Sequence, residues 1–116
     1  MPDKSNEIKW TPFALQSLNE IFDFIVFKER STSIAQKLVT KIFERTDQLC
    51  EFPELGQLEP LLVEIGQDSR YLVEASYKII YEYHPVKKMV IITDVFHTSQ
   101  NPLKIERSSE KKQGGD

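Results

Sequence analysis

Residues 70–97 read RYLVEASYKIIYEYHPVKKMVIITDVFH, and this stretch decides the fold class. β-Branched and aromatic residues crowd it in three runs, 70–75, 77–83 and 89–96, each of strand length. Ser76 and residues 84–88 separate the runs and are short enough for hairpins, so an antiparallel three-stranded meander is expected. The third run is apolar at most positions, which predicts a strand covered on much of both faces, with Asp94 an oddity at its centre.

Upstream the period changes from two to between three and four. Thr11-Pro12 reads as an N-cap followed by proline at the first helical position, where its missing N–H costs nothing. From 13 to about 29, Ala14, Leu18, Ile21, Phe22 and Ile25 recur at helical spacing, and Phe24, Val26 and Phe27 widen the stripe. Ser31 or Ser33 caps a second helix, in which Ala35, Leu38, Val39, Ile42, Phe43, Thr46, Leu49 and Cys50 form one stripe. That helix is expected to run to Phe52, because the residue before Pro53 is pushed out of helical geometry. Ile8-Lys9-Trp10 alternates like a brief strand. The stretch 53–68, with two prolines and two glycines, is too broken for a regular element and carries Glu54, Glu59, Glu64 and Asp68 but no lysine or arginine. The order is therefore β-α-α-β-β-β: an α+β domain with a helical hairpin packed on one face of a small antiparallel sheet. One domain over 1–102 is expected, followed by a polar, flexible tail over 103–116.

Composition narrows the class. Among 116 residues, 40% are hydrophobic and 28% charged, an ordinary globular balance that excludes collagen-like, disordered and coiled-coil chains. No apolar run reaches the length of a membrane span, and the polar start of the chain carries no secretory signal as written. With one cysteine, Cys50, on a helix stripe and hence expected in the core, a reducing, cytoplasmic location is expected. The formal charge of −3 argues mildly against a nucleic-acid-gripping surface.

Motifs for nucleotide, zincin or zinc-ribbon chemistry are absent, and His84 and His97 alone make no convincing metal site, so no cofactor or metal is expected. What remains is polar residues on the sheet: Arg70 opening the first meander strand, Lys78 and Glu82 on one face of the second, and His97 ending the third. Antiparallel pairing can bring some of these within a few ångströms. A histidine and a glutamate can shuttle protons while an arginine stabilises charge at phosphorus, as phosphodiester cleavage needs. Equally, Lys78 and Glu82 read as solvent-facing strand residues and Arg70 as a structural ion-pairing group.

The succession WTPFA at 10–14, the apolar stretch 18–25, FPELG at 52–56, RYLV at 70–73, YKIIY at 77–81 and VFHTSQNP at 95–102 resembles the RelE/ParE toxin superfamily of bacterial type II toxin–antitoxin modules. That resemblance implies the same helical hairpin on an antiparallel sheet. It also implies one of two activities: RelE-like ribosome-dependent mRNA cleavage, or ParE-like poisoning of DNA gyrase without cleavage. Arg70 and His97 resemble the family's strand arginine and C-terminal histidine, and would be catalytic only in a nuclease. Where the family commonly places arginines after that histidine, this chain has Thr98, Ser99 and Gln100. The resemblance therefore favours the ParE-like branch: a toxin contacting gyrase, neutralised by a cognate antitoxin. Phe24, Phe27, Lys78 and Glu82 are its candidate partner-binding residues. The alternatives are a nuclease acting on ribosome-bound messenger RNA and a toxin-like binding module without activity.

Overall fold

The computed structural model describes residues 5–60 and 69–99. Strand β1 (Glu7–Trp10) leads into helices α1 (Pro12–Glu29) and α2 (Thr32–Asp47), followed by strands β2 (Gln57–Leu58), β3 (Arg70–Glu74), β4 (Tyr77–His84) and β5 (Met89–His97). Both helix starts follow the capping chemistry of the sequence. The Thr11 hydroxyl accepts the Ala14 N–H at 3.0 Å, with Pro12 in the first turn, and the Ser31 hydroxyl accepts the Ile34 N–H at 3.2 Å.

Helix α2 differs from expectation at its end. The α-helix stops at Asp47 and tightens into a 3₁₀ turn, Gln48–Cys50, before Pro53 is reached. The Gln48 carbonyl accepts from both the Glu51 and Phe52 N–H groups, so the last turn closes on itself instead of extending.

The sheet has the order β1-β5-β4-β3-β2. The meander is present as expected, with β3, β4 and β5 antiparallel. Two short edge strands add to it: β1 lies parallel to β5, pairing Glu7 with Met89 through Trp10 with Ile92, and β2 pairs antiparallel with β3. The sheet is therefore mixed. Strand β2 lies inside the stretch expected to be irregular, and two residues are too few for a periodic signal.

One face of the sheet meets the helical hairpin. Ala14 and Leu18 of α1 and Ile42 of α2 pack with Leu49, Leu72, Tyr77, Ile79, Tyr81, Val90, Ile92 and Val95. Trp10 is half-buried at the edge of this core, its ring 4.9 Å from that of Phe43. On the opposite face Ile80 and Phe96 pack with Tyr71. Central strands β4 and β5 are thus covered on both faces, as the near-continuous apolar run of β5 requires. Within the described residues, no helix is long and apolar enough to cross a membrane.

Asp94 finds its explanation in the register. Ile80 pairs with Asp94 but Tyr81 pairs with Ile92, so Thr93 is the extra residue of a bulge. Beside it, the Asp94 carboxylate accepts the Val95 N–H at 2.7 Å and the Ser17 hydroxyl of α1 at 3.3 Å. A buried carboxylate thus serves a backbone group next to an irregularity and ties α1 to the sheet. The expected tail over 103–116 lies outside the described residues, as do Glu64 and Asp68.

Candidate functional site

The four polar residues singled out on the sheet do not form one cluster. Arg70 pairs with Tyr81 and His97 pairs with Tyr77, so the two sit four residues apart along β4, about 13 Å, and on opposite flanks of it. The Arg70 guanidinium is bonded to the Gly56 carbonyl and the His97 ring is packed on Tyr77, so the two side chains do not converge in this arrangement. Pairing is expected to bring some of the four residues within a few ångströms, and the register keeps Arg70 and His97 apart.

Arg70 is engaged at the β2 edge. Its Nη1 donates to the Gly56 carbonyl at 2.8 Å, while the Gly56 N–H donates to the Tyr81 hydroxyl, also at 2.8 Å. Both backbone groups of Gly56 are thus held by side chains from β3 and β4. The glycine itself is demanded by closeness: an added Cβ would lie 2.5 Å from the Tyr71 carbonyl oxygen and 2.8 Å from the Tyr81 hydroxyl. This clamp fixes the FPELG motif against the sheet. Burial raises the Tyr81 phenol above its ordinary value near 10, an effect partly offset by the Gly56 N–H and by the nearby Arg70 charge.

A group whose proton is held more tightly in the folded state contributes stability below its unfolded-state value and loses it as pH climbs through the folded one. Tyr77, raised by burial, has the same sign. Urea unfolding midpoints should therefore fall as pH rises above about 10. Tyr81→Phe should flatten part of that fall, while costing about 1–3 kcal/mol at pH 7 for the Gly56 N–H it leaves without an acceptor. An equally steep alkaline fall in Tyr81→Phe would contradict this assignment.

Lys78 and Glu82 lie on the face of β4 away from the helices, and each has a partner. The Lys78 ammonium is 2.8 Å from a carboxylate oxygen of Glu59, with side chains only 19% and 3% exposed, and it sits 4.2 Å from the centre of the Tyr71 ring. The half-buried Glu82 places its carboxylate 3.1 Å from His84. Glu59 also donates its N–H to the Ser69 carbonyl, so the Lys78 pair staples the start of the 60–68 connection to the sheet.

His97 ends β5 beside the helices. Its ring meets Tyr77 edge-on at 5.3 Å, and its Nδ1 accepts the Ser99 N–H at 3.0 Å. An accepting Nδ1 places the neutral ring's proton on Nε2. His97 lines one end of a cleft of about 950 Å³ between α1 and β5, whose walls include Phe13, Glu20, Phe24, Lys28 and Asp94. Strand β1 stops opposite Ile92, so over this cleft β5 faces α1 and not another described strand. Phe24 is 55% exposed and Phe27 75%, although both belong to the apolar half of α1. Burying such rings on a partner is favourable in proportion to the apolar area removed from water.

Sequence reasoning missed the Gly56 clamp and the role of Glu59. A signal for the first was available: Gly56 is the first glycine in the chain. Cys50, expected in the core, is half-buried, and its carbonyl accepts both the backbone and side-chain N–H of Asn6. Among the described residues, no three His, Cys, Asp or Glu side chains converge as metal ligands.

Comparison with known proteins bears on this arrangement. Residues 8–102 match the family model described as the ParE toxin of the type II toxin–antitoxin system parDE. A structure from the chromosomal ParDE toxin–antitoxin system of P. aeruginosa superposes with a TM-score of 0.66 at 20% identity, covering 83% of this chain and 99% of that one. The RelBE2 toxin–antitoxin complex of Mycobacterium tuberculosis gives 0.53 at 14% identity, covering 83% and 94%. The isolated E. coli RelE toxin gives 0.52 at 15% identity, covering 92% and 99%. No curated protein sequence matches.

Proposed function

The chain belongs to the ParE toxin family of type II toxin–antitoxin systems, and from that premise we propose that it acts in the cytoplasm by inhibiting DNA gyrase through protein–protein contact. The observation that carries this reading over the nuclease is the separation of Arg70 from His97. Acid–base cleavage of RNA needs the proton-transfer group and the cation at one phosphodiester, within hydrogen-bond reach of it. Here the arginine is tied to a backbone carbonyl at one end of the sheet, and the histidine is packed on Tyr77 at the other. Behind the histidine come Thr98 and Ser99 in place of cations. A toxin that works by contact needs no such convergence.

Neutralisation falls to a cognate antitoxin, which we place on α1 and the cleft between it and β5, with Phe24 on the cleft wall and the exposed Phe27 of α1, outside the cleft, as its apolar anchors. Both rings face solvent, so Phe24→Ala and Phe27→Ala should leave the unfolding midpoint unchanged while weakening antitoxin binding about tenfold each. Titration calorimetry with unchanged affinity in both variants would refute this placement. Function itself is tested by induced expression in a bacterial host, following DNA and protein synthesis separately. DNA synthesis should stop first with translation intact. An early collapse of translation, relieved by Arg70→Ala or His97→Ala, would instead make the protein a nuclease.

A further inference from the structure

Between Arg45 and Arg70 the chain carries no lysine or arginine, and the described part of that interval has an unusual surface. Phe52, Leu55 and Leu58 are 61%, 46% and 45% exposed within seven residues, and Asp47, Glu51 and Glu54 beside them are exposed as well. An isolated exposed apolar side chain is ordinary; three in one short segment are not. The segment is also held stiffly. The Leu55 N–H closes a turn on the Phe52 carbonyl at 3.0 Å, and Gly56 is gripped from both sides by Arg70 and Tyr81. The wholly buried Tyr81 and the half-buried Arg70 thus fix a stretch whose Phe52, Leu55 and Leu58 side chains are exposed.

We infer that segment 47–58 is the surface through which this toxin grips its target, and that the target presents there a basic rim around an apolar recess. The inference rests on the gyrase reading above and deepens it. An enzyme that handles duplex DNA carries basic surfaces to hold phosphates, and an acidic partner surface is complementary to them. The apolar side chains supply the desolvated centre of the contact, and the carboxylates supply orientation and encounter rate. Preorganisation by the Gly56 clamp lowers the ordering cost of binding. The Arg70 side chain thereby gains a role at a distance: it is a positioning residue for Leu55 and Leu58. Segment 47–58 runs from beside Asn6 and Ile8 at the β1 edge, where the Cys50 carbonyl accepts the Asn6 N–H, to β2 at the other edge of the sheet, and none of its residues lines the cleft assigned to the antitoxin.

Supercoiling by reconstituted gyrase, titrated with the full chain, tests this directly. Phe52→Ala and Leu55→Ala should each raise the half-inhibitory concentration about tenfold, with unfolding midpoints unchanged because both side chains are exposed. The double reversal Glu51→Lys with Glu54→Lys should raise it about tenfold at low salt and remove most of the salt dependence of inhibition. Val86→Ala, at the exposed β4–β5 turn, should inhibit like the wild type. Active wild type with equally active Phe52, Leu55 and charge-reversed variants would overturn the surface while leaving the gyrase reading standing. Wild type inert against gyrase would overturn both. If sedimentation shows that Leu55→Ala separates a self-associated form while inhibition stays unchanged, the segment joins copies of this chain, and the inference fails.

Discussion

Gly56→Ala should lower stability by about 3–5 kcal/mol, the sum of steric strain and disrupted hydrogen bonding in a buried site. The added methyl would have to occupy space 2.5 Å from the Tyr71 carbonyl oxygen and 2.8 Å from the Tyr81 hydroxyl. One obstacle is backbone within the sheet and the other is a wholly buried ring, so neither yields cheaply. Relief requires the segment to lift from the sheet, which breaks the Gly56 bonds to Tyr81 and Arg70 together. Urea unfolding should show the midpoint falling with little change in slope. A loss below about 1 kcal/mol would mean that the segment is not clamped. Arg70→Ala removes only one of the two bonds and should cost less, about 1–3 kcal/mol.

The second large effect is expected at Lys78. Removing one partner of a buried ion pair leaves the other charge uncompensated, typically at a cost of about 3–5 kcal/mol. Glu59 is the partner that would be stranded, because its side chain is almost wholly covered while Lys78 is a little more open. Lys78→Met should therefore destabilise strongly at pH 7. Lys78→Met combined with Glu59→Leu should recover most of the loss, because apolar side chains of similar size often replace such a pair at little cost. Equal destabilisation in the single and double variants would refute the pairing. The same measurement bears on function: if Lys78 were simply a partner-binding cation on an open strand, its replacement would change affinity and leave stability alone.

The parts of this fold legible in the sequence are those specified over a few residues. Thr11 and Ser31 bond to N–H groups three residues away, and the alternation in β3 to β5 needs only the strand's own period. The family resemblance, carried by short motifs in order, points the same way as the matched family. What escaped reading depends on long-range contacts. The Gly56 bonds reach across 14 residues to Arg70 and 25 to Tyr81, and the Glu59–Lys78 pair spans 19. No local pattern encodes them. Asp94 looked out of place because a one-residue bulge cannot be seen in a run of apolar residues, and the bulge is what gives the carboxylate a backbone N–H to bind. Arg70 and His97 were each placed on a strand end correctly, yet only the register reveals that these are opposite corners of the sheet.

The amphipathic stripe on α1 carried an ambiguity of another kind. Phe24 and Phe27 widen the apolar pattern, yet as candidate partner-binding residues they are expected to be exposed, and the structure leaves both in water. Hydrophobic residues on a family member that works with a protein partner answer two demands, the core and the interface. Periodicity cannot separate them.

The most direct measurement is DNA supercoiling by purified gyrase in the presence of a stoichiometric excess of folded protein, run beside primer extension on messages translated in a reconstituted system. The expected result is inhibited supercoiling with no new message ends. Supercoiling that proceeds at full rate while fresh ends appear on translated RNA would contradict the proposed function.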